Sequence, residues 1–199
     1  MSQWNTIKSV VYSMKMKAVY IVNDLKVAKI LVDPMRRAIL DLLRQRPMTQ
    51  AQLAHELGLT GASLNYHIKK LRSKKLVVVA KREVEEHSIM QIFFSSIAYL
   101  FVYDLDSFPK DIARYFYPVS LERARSVTSM RMLKERGFHI EHSPEAINRL
   151  SERLARLLVR ISKSYERKEV DSSNEEIVYE IYTKAITALI KQDIIEVRQ

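Results

Sequence analysis

The chain has 199 residues, of which 47% are hydrophobic and 28% are charged, so it can bury a core and divide into one or two domains. It contains no cysteine, which excludes disulfide bonds, thiolate metal sites and thiol catalysis. Only three glycines and five prolines are present. This scarcity argues against glycine-rich phosphate loops and all-β folds, and it favours long helices.

Positive charge is concentrated in the first half of the chain. Residues 1–100 hold sixteen Lys and Arg against seven Asp and Glu, whereas residues 101–199 hold seventeen against sixteen. The segment 60–82 carries its cations with no acid between them: Lys69, Lys70, Arg72, Lys74, Lys75, Lys81 and Arg82. Two interpretations stay open, a solvated lysine-rich face and a surface that attracts a polyanion.

The sequence shows neither a secretory leader nor a membrane span. Lys8, Lys15 and Lys17 interrupt the N-terminal segment, which therefore lacks the apolar stretch of a signal peptide. The longest apolar run, 92–103, is far below the about 20 residues that a transmembrane helix needs. We therefore predict a cytoplasmic protein.

The first predicted elements are a strand at 19–22, a helix at 24–31 and a helix at 35–44. Asp33 and Pro34 open the second helix, because aspartate caps free backbone N–H groups and proline fits the first helical position. Pro47 ends it.

Two helices separated by a tight break follow. Thr49 caps a helix at 50–57, and Gly58 ends it. The next helix covers 61–74, and its apolar positions Leu64, Ile68 and Leu71 form one stripe for burial.

Two strands at 76–81 and 89–94 then flank the charged segment 82–88, which predicts a β-hairpin. These elements follow the order of a winged helix-turn-helix: two helices, a tight break, a further helix and a β-hairpin. In that fold the helix after the break fits the major groove of B-DNA, and the hairpin, or wing, reaches flanking phosphates.

Three local motifs resemble those of ArsR-type (arsenic-repressor-like) regulators, in particular archaeal members with a helical C-terminal extension. Asp-Pro-Met-Arg-Arg-Ala-Ile-Leu at 33–40 is similar to the family's D-P-x-R-R-x-I-L. Residues 49–57 are similar to T-x-x-x-L-A-x-x-L, and 62–71 to the recognition helix S-x-x-x-x-H-L-K-x-L. The resemblance implies a homodimer on a pseudo-palindromic operator, with Asn65, Tyr66 and Lys69 facing bases or phosphates.

Together, the helix and the wing supply the predicted DNA-binding residues, which are Thr60, Ser63, Asn65, Tyr66, Lys69, Lys70, Arg72, Lys81 and Arg82. The sequence departs from the resemblance at Lys75, where the family usually has glycine before the first wing strand. The wing tip carries Glu83, Glu85 and Glu86, which phosphates would repel. Wing contacts are therefore assigned to Lys81 and Arg82.

The sequence contains no strong motif for catalysis or for metal binding. We find no nucleophile elbow, phosphate loop or paired-carboxylate motif, and so we expect no enzyme activity, no catalytic residue and no cofactor. His67 is interpreted as a packing or phosphate contact rather than a metal ligand. The group His139, Glu141 and His142 matches no strong metal template, and we expect no metal site.

Long helices are predicted after residue 109, at 110–117, 119–136, 143–168 and 175–191. Ile147, Leu150, Leu154, Leu157 and Ile161 recur at heptad spacing, which fits a dimer coiled coil or an internal bundle core equally well. The aromatic side chains between 99 and 117 either line a ligand pocket or, as the more common case, fill an interdomain core. They are Tyr99, Phe101, Tyr103, Phe108, Tyr115, Phe116 and Tyr117.

The predicted fold is mainly α with a small β wing. We expect a winged helix-turn-helix DNA-binding domain at 1–108, with its core at about 24–96, and a helical dimerisation or effector domain at 109–199. The expected partners are double-stranded DNA, a second copy of the chain and a small-molecule effector of unknown identity, with no membrane. The function predicted is sequence-specific transcription regulation, and the alternative is a winged-helix module for protein–protein or RNA binding.

Overall fold

The computed structural model describes residues 15–84, 90–134, 143–173 and 175–197. Within them, no helix combines the length and the apolar composition that crossing a membrane requires. The elements in chain order are β1 (Met16–Val22), α1 (Leu25–Leu31), α2 (Pro34–Gln45), α3 (Gln50–Leu57), α4 (Gly61–Ser73), β2 (Val77–Val84), β3 (Met90–Ser96), β4 (Ala98–Tyr103), α5 (Lys110–Ala113), α6 (Tyr117–Lys134), α7 (Pro144–Ser162), β5 (Glu169–Val170) and α8 (Glu176–Val197).

The fold is mainly helical, with an N-terminal winged helix-turn-helix followed by C-terminal helices, as the sequence predicts. Helices α2, α3 and α4 pack on one another, and β2 and β3 form the antiparallel wing. A backbone bridge between Met48 and Phe94 ties the α2–α3 connection to the wing. The side chains of Ile39, Leu53 and Leu71 are fully buried in this region.

A second sheet, with the order β4-β1-β5, was not predicted as a unit. β1 pairs in parallel with β4 and antiparallel with the short β5. The sequence indicated only the second half of β1. In the sequence, the segment that holds β4 is visible only as an apolar run, because it continues from β3 with a single intervening residue, Ile97.

This sheet lies between two hydrophobic clusters. Leu100 and Val102 of β4 belong to the cluster formed with α7 and α8. Phe101 and Tyr103, which alternate with them, pack against the cluster of the winged helix. The two halves of the chain are therefore in contact through one layer of strands.

The heptad-like stripe of α7 is an internal core. Leu154 and Leu157 are buried in the cluster with α8, and Leu150 and Ile161 pack against it. Helix α7 contacts both α6 and α8. Of the two alternatives left open by the spacing, the structure favours the bundle core.

The aromatic side chains between 99 and 117 divide into two groups. Tyr99, Phe108 and Phe116 are buried, and Phe101 and Tyr103 are half-buried against the winged-helix cluster. The rings of Tyr103 and Phe116 stack with centroids 4.2 Å apart. Burial raises the pKa of Tyr103 to about 12, which fits a core position rather than a solvated pocket. Tyr115 and Tyr117 are exposed.

Several predicted helix ranges need correction, and the helix predicted at 175–191 continues to Val197. The helix predicted at 110–117 ends at Ala113, and a new helix begins at Tyr117, with Pro118 in its first turn. The helix predicted to reach residue 168 ends at Ser162, because the chain then turns to pair with β1. The carbonyl of Lys168 accepts the N–H of Ala18 at 2.7 Å.

Candidate nucleic-acid interface

A short break between α3 and α4 positions the two helices, and local sequence signals determine the geometry of this break. Thr49 and Gln52 form a reciprocal capping box at the start of α3. Gly58 ends α3 with φ of 62°, the left-handed conformation that favours glycine. The chain then re-enters a helix within three residues, which sets α4 across α3 as the second helix of a helix-turn-helix.

The two sides of α4 differ in chemistry. Leu64, Ile68 and Leu71 are buried, as predicted. Tyr66, Lys69, Lys70 and Arg72 are exposed, whereas Ser63 and Asn65 are half-buried at the edges of that surface. We call these last six residues the α4 face.

Thr60 has a structural role at the start of α4. Its hydroxyl oxygen accepts the backbone N–H of Ser63 at 3.2 Å, so the side chain caps the helix. The capped end also exposes backbone N–H groups of the first helical turn, a position that favours anions. The Thr60 hydroxyl therefore already has a hydrogen-bond partner at the start of the helix.

Tyr66 is the largest exposed side chain of the α4 face, with 53% of its surface accessible. The Arg36 guanidinium lies 5.8 Å from its ring centroid, and the Lys70 ammonium lies 5.5 Å from it. A phenol at this exposed position can stack on a base or donate a hydrogen bond, and the Lys70 ammonium beside it can attract a phosphate.

The cations of α4 have no acidic partner among the described residues. Lys69, Lys70 and Arg72 appear in none of the ion pairs there. The Arg72 guanidinium also lies 5.7 Å from the ring centroid of Phe94 on the wing. The uncompensated charge favours contact with a polyanion.

Lys75 stands where the resemblance led us to expect glycine, and the backbone adopts the glycine-like conformation nevertheless. Its φ is 56°. Its N–H donates to the carbonyl of Arg72 at 2.9 Å, and the N–H of Leu76 donates to that of Leu71 at 3.1 Å. This pair of bonds is a Schellman motif, and the burial of both leucines accompanies it. The helix therefore ends at Ser73, one residue before the predicted end.

The wing presents less free charge than its sequence suggests. The Lys81 ammonium pairs with the Glu83 carboxylate at 2.5 Å and lies 4.3 Å from the ring centroid of Phe93. Arg82 is exposed. Beyond it, the paired positions Val84 and Met90 are exposed and apolar, a feature that the charge-based argument missed.

The Asp-Pro-Met-Arg-Arg motif joins helices rather than lining the α4 face. One Asp33 oxygen accepts the N–H of Met35 at 2.8 Å, and the other lies 3.4 Å from His67 Nδ1 and 3.5 Å from Arg36 Nε. Arg36 donates to the carbonyl of Ile30 at 2.9 Å. Arg37 donates to the carbonyls of Leu31 and Val32 at 2.6 and 2.9 Å, at the C-terminal end of α1.

His67 is therefore oriented towards Asp33 between α2 and α4, and only 14% of its side chain is exposed. Across the part of the chain that the structure describes, no three His, Cys, Asp or Glu side chains group as a metal site would need. The sequence cluster His139, Glu141 and His142 lies outside the described residues.

The comparison with protein families supports this local fold. The family described as "Helix-turn-helix domain" matches residues 31–80, which span α2 to the middle of β2. Among curated proteins, none matches the chain.

Two solved structures are similar to parts of it. The first is a homodimeric winged helix-turn-helix DNA-binding domain of a possible ArsR-family regulator from Mycobacterium bovis, at 22% identity and a TM-score of 0.31, covering 58% of this chain and 85% of that one. The second is a mutant of Lactococcus lactis ZitR in apo form, at 16% identity and a TM-score of 0.31, covering 65% of this chain and 83% of that one.

Proposed function

We propose that this protein is a sequence-specific, double-stranded-DNA-binding transcription regulator that acts in the cytoplasm. The observation that carries the proposal is the α4 face, on the second helix of a helix-turn-helix, with three cations that have no acidic partner among the described residues. We further propose that it is an ArsR-type regulator of the archaeal kind with a helical extension, on the motifs at 33–40, 49–57 and 62–71.

Residue roles follow from position on the helix. Asn65 and Tyr66 are proposed to read base edges, because an amide can pair with adenine and a phenol can donate to a base or phosphate. Lys69, Lys70 and Arg72 are proposed to bind phosphates or guanine. Thr60 and Ser63 would contribute the helix start, whose free N–H groups suit a phosphate.

The wing is proposed to contact flanking phosphates mainly through Arg82. Lys81 would have to exchange its pairing with Glu83 for a phosphate, which reduces its expected contribution. The exposed pair Val84 and Met90 would lie towards the sugar edges.

We also propose a homodimer on a pseudo-palindromic operator, with 1–108 as the DNA-binding domain and 109–199 as the dimerisation or effector domain. A dimer supplies two α4 helices for two half-sites about one helical turn apart, roughly 34 Å.

The test is selection of bound fragments from random double-stranded DNA by the full-length protein at about 0.15 M salt, where long-range attraction to phosphates is partly screened. We expect recovery of a short pseudo-palindrome. On that site, Asn65→Ala should reduce discrimination between the site and random DNA by about 1–3 kcal/mol while non-specific binding is retained. Lys69→Ala should weaken binding to every sequence and lower the salt slope by about one.

The outcomes separate the function classes. Recovery of random fragments with a steep salt dependence would replace the regulator by a non-specific DNA binder. Recovery of no DNA, with RNA or a protein captured instead, would favour the alternative winged-helix module. An unchanged affinity in both variants would mean that α4 is not the reading helix.

A further inference from the structure

The Tyr66 side chain of the α4 face is in contact with a buried cation from another helix. The guanidinium of Arg36, on α2, lies 5.8 Å from the Tyr66 ring centroid, within the range of a cation–π contact. Only 11% of the Arg36 side chain is exposed, whereas the residue Tyr66 is 53% exposed. Arg36 is therefore shielded from a partner that Tyr66 can reach.

Arg36 is held in place by groups at the end of α1 and at the start of α2. Its Nη1 donates to the carbonyl of Ile30 at 2.9 Å. Its Nε lies 3.5 Å from one oxygen of Asp33, the N-cap of α2, and that oxygen lies 3.4 Å from Nδ1 of His67 on α4. Because the guanidinium is a rigid plane, fixing it at two nitrogens also fixes the surface that it presents to Tyr66.

Two neighbours on α4 restrict the same ring. The Lys70 ammonium, about one helical turn further on, lies 5.5 Å from the Tyr66 centroid. The His67 ring meets Tyr66 at an angle of 73°, with the two centroids 5.6 Å apart. An exposed tyrosine ordinarily samples several rotamers, and ordering it on binding lowers affinity. The three contacts favour one orientation of the Tyr66 ring before any DNA is bound.

We propose that Arg36 is a positioning residue for DNA recognition, which holds the Tyr66 ring in the orientation that DNA binds without contacting DNA itself. The inference rests on the proposed function and adds to it a residue of α2 that lies outside the α4 face. A purely structural arginine would only join α2 to the end of α1 through the Ile30 carbonyl. The two roles differ in whether the effect of Arg36 on DNA binding requires Tyr66.

A double-mutant cycle with the full-length protein and the duplex recovered by selection separates these roles. We expect Arg36→Met to lower affinity for that duplex about 3- to 10-fold, the effect of ordering one side chain on binding. Its salt slope should stay unchanged, since no phosphate contact is lost. In a Tyr66→Ala background, Arg36→Met should have no further effect. Equal losses in the two backgrounds would mean that Arg36 acts on the fold alone, and the proposal would be wrong.

The adjacent arginine provides a matched control. Arg37 also donates to carbonyls at the end of α1, and its guanidinium lies 5.9 Å from the ring centroid of Phe116 rather than beside Tyr66. Arg37→Met should therefore leave the affinity of the folded protein unchanged in both backgrounds. Arg36→Lys, which keeps the charge but not the planar fork, should retain part of the natural affinity.

Nuclear magnetic relaxation of a ¹³C-labelled Tyr66 ring tests the positioning in the free protein, without DNA. Arg36→Met should increase the mobility of this ring on the picosecond-to-nanosecond timescale, and Arg37→Met should not. Unchanged mobility in Arg36→Met would overturn the proposal. If the natural protein selects a duplex that Arg36→Met binds equally tightly, the proposal fails and the proposed function stands. If the natural protein binds no DNA, both fail.

Discussion

Helices α4 and α7 are both amphipathic, but they differ in how many of their cationic side chains have acidic partners. Each buries apolar side chains on one side, Leu64, Ile68 and Leu71 on α4 and Leu154, Leu157 and Leu158 on α7. α7 carries four arginines and two glutamates, and Arg156 pairs with Glu152 and with Asp106. α4 has fewer cations but no acid at all. The comparison teaches that the absence of nearby carboxylates, rather than the number of cations, marks a surface for a polyanion.

The largest expected effect is on stability, and it tests whether the buried stripes of α4 and α7 contribute equally to the core. Leu71 and Leu154 are 0% and 1% exposed. We expect Leu71→Ala and Leu154→Ala each to lower the free energy of unfolding by about 3 kcal/mol, since each leaves a core cavity. Urea denaturation followed by circular dichroism measures both values. Because the β4-β1-β5 sheet contacts both clusters, each variant should unfold in one transition, and two separate transitions would show that the regions are independent.

The next prediction concerns the difference between the exposed surfaces. Lys69→Glu combined with Lys70→Glu should lower affinity for double-stranded DNA about 100-fold at 0.15 M salt, since two attractions to phosphate become repulsions. Fluorescence anisotropy with a labelled duplex measures the loss. Arg149→Glu combined with Arg160→Glu on α7 changes the net charge equally and should have less than about a 3-fold effect. Equal losses in the two double variants would mean that only total charge matters.

A smaller effect on stability distinguishes cations that face solvent from cations that stabilise the fold through hydrogen bonds. Arg37→Met removes two hydrogen bonds to the last carbonyls of α1. We expect the free energy of unfolding to fall by about 2 kcal/mol, with the DNA affinity of the folded protein unchanged. Arg44→Met, which breaks a partly exposed pair with Asp41, should cost less than about 1 kcal/mol. A loss of DNA affinity without a loss of stability would assign Arg37 to the DNA instead.

The smallest effect is a gain in stability at the end of α4. Lys75→Gly should raise the free energy of unfolding by about 1 kcal/mol, because glycine adopts the left-handed conformation without the strain of a side chain. Lys74→Gly, at a residue with φ of −112°, should give no gain. Thermal denaturation of the two variants distinguishes them, and equal shifts would remove the conformational explanation.

The helix-turn-helix could be predicted from the sequence because each of its boundaries carries a local signal. Asp33 with Pro34, Thr49 and Gly58 cap helices through their own side chains or backbone conformation, and the structure has all of these caps. The stripe Leu64, Ile68 and Leu71 likewise determined which side of α4 is buried.

The second sheet could not be predicted in the same way. Its partners are far apart in sequence, since Lys17 pairs with Ala98 and with Glu169, and a two-residue strand has no pattern of its own. In the candidate site, the sequence identified residue types, but it could not indicate that Glu83 would neutralise Lys81. It also could not indicate that Arg36 and Arg37 would bind backbone carbonyls.

The position of β1 has a consequence for how the chain folds during synthesis. β1 is the middle strand of its sheet, and both of its neighbours leave the ribosome later, β4 near the middle of the chain and β5 after all of α7. The contacts among α2, α3, α4 and the wing are mostly local and can form early, whereas closing the sheet joins distant segments and is correspondingly slow. β1 therefore has two unpaired edges until β4 is synthesised and one until β5 is, a state in which strands are prone to wrong pairing.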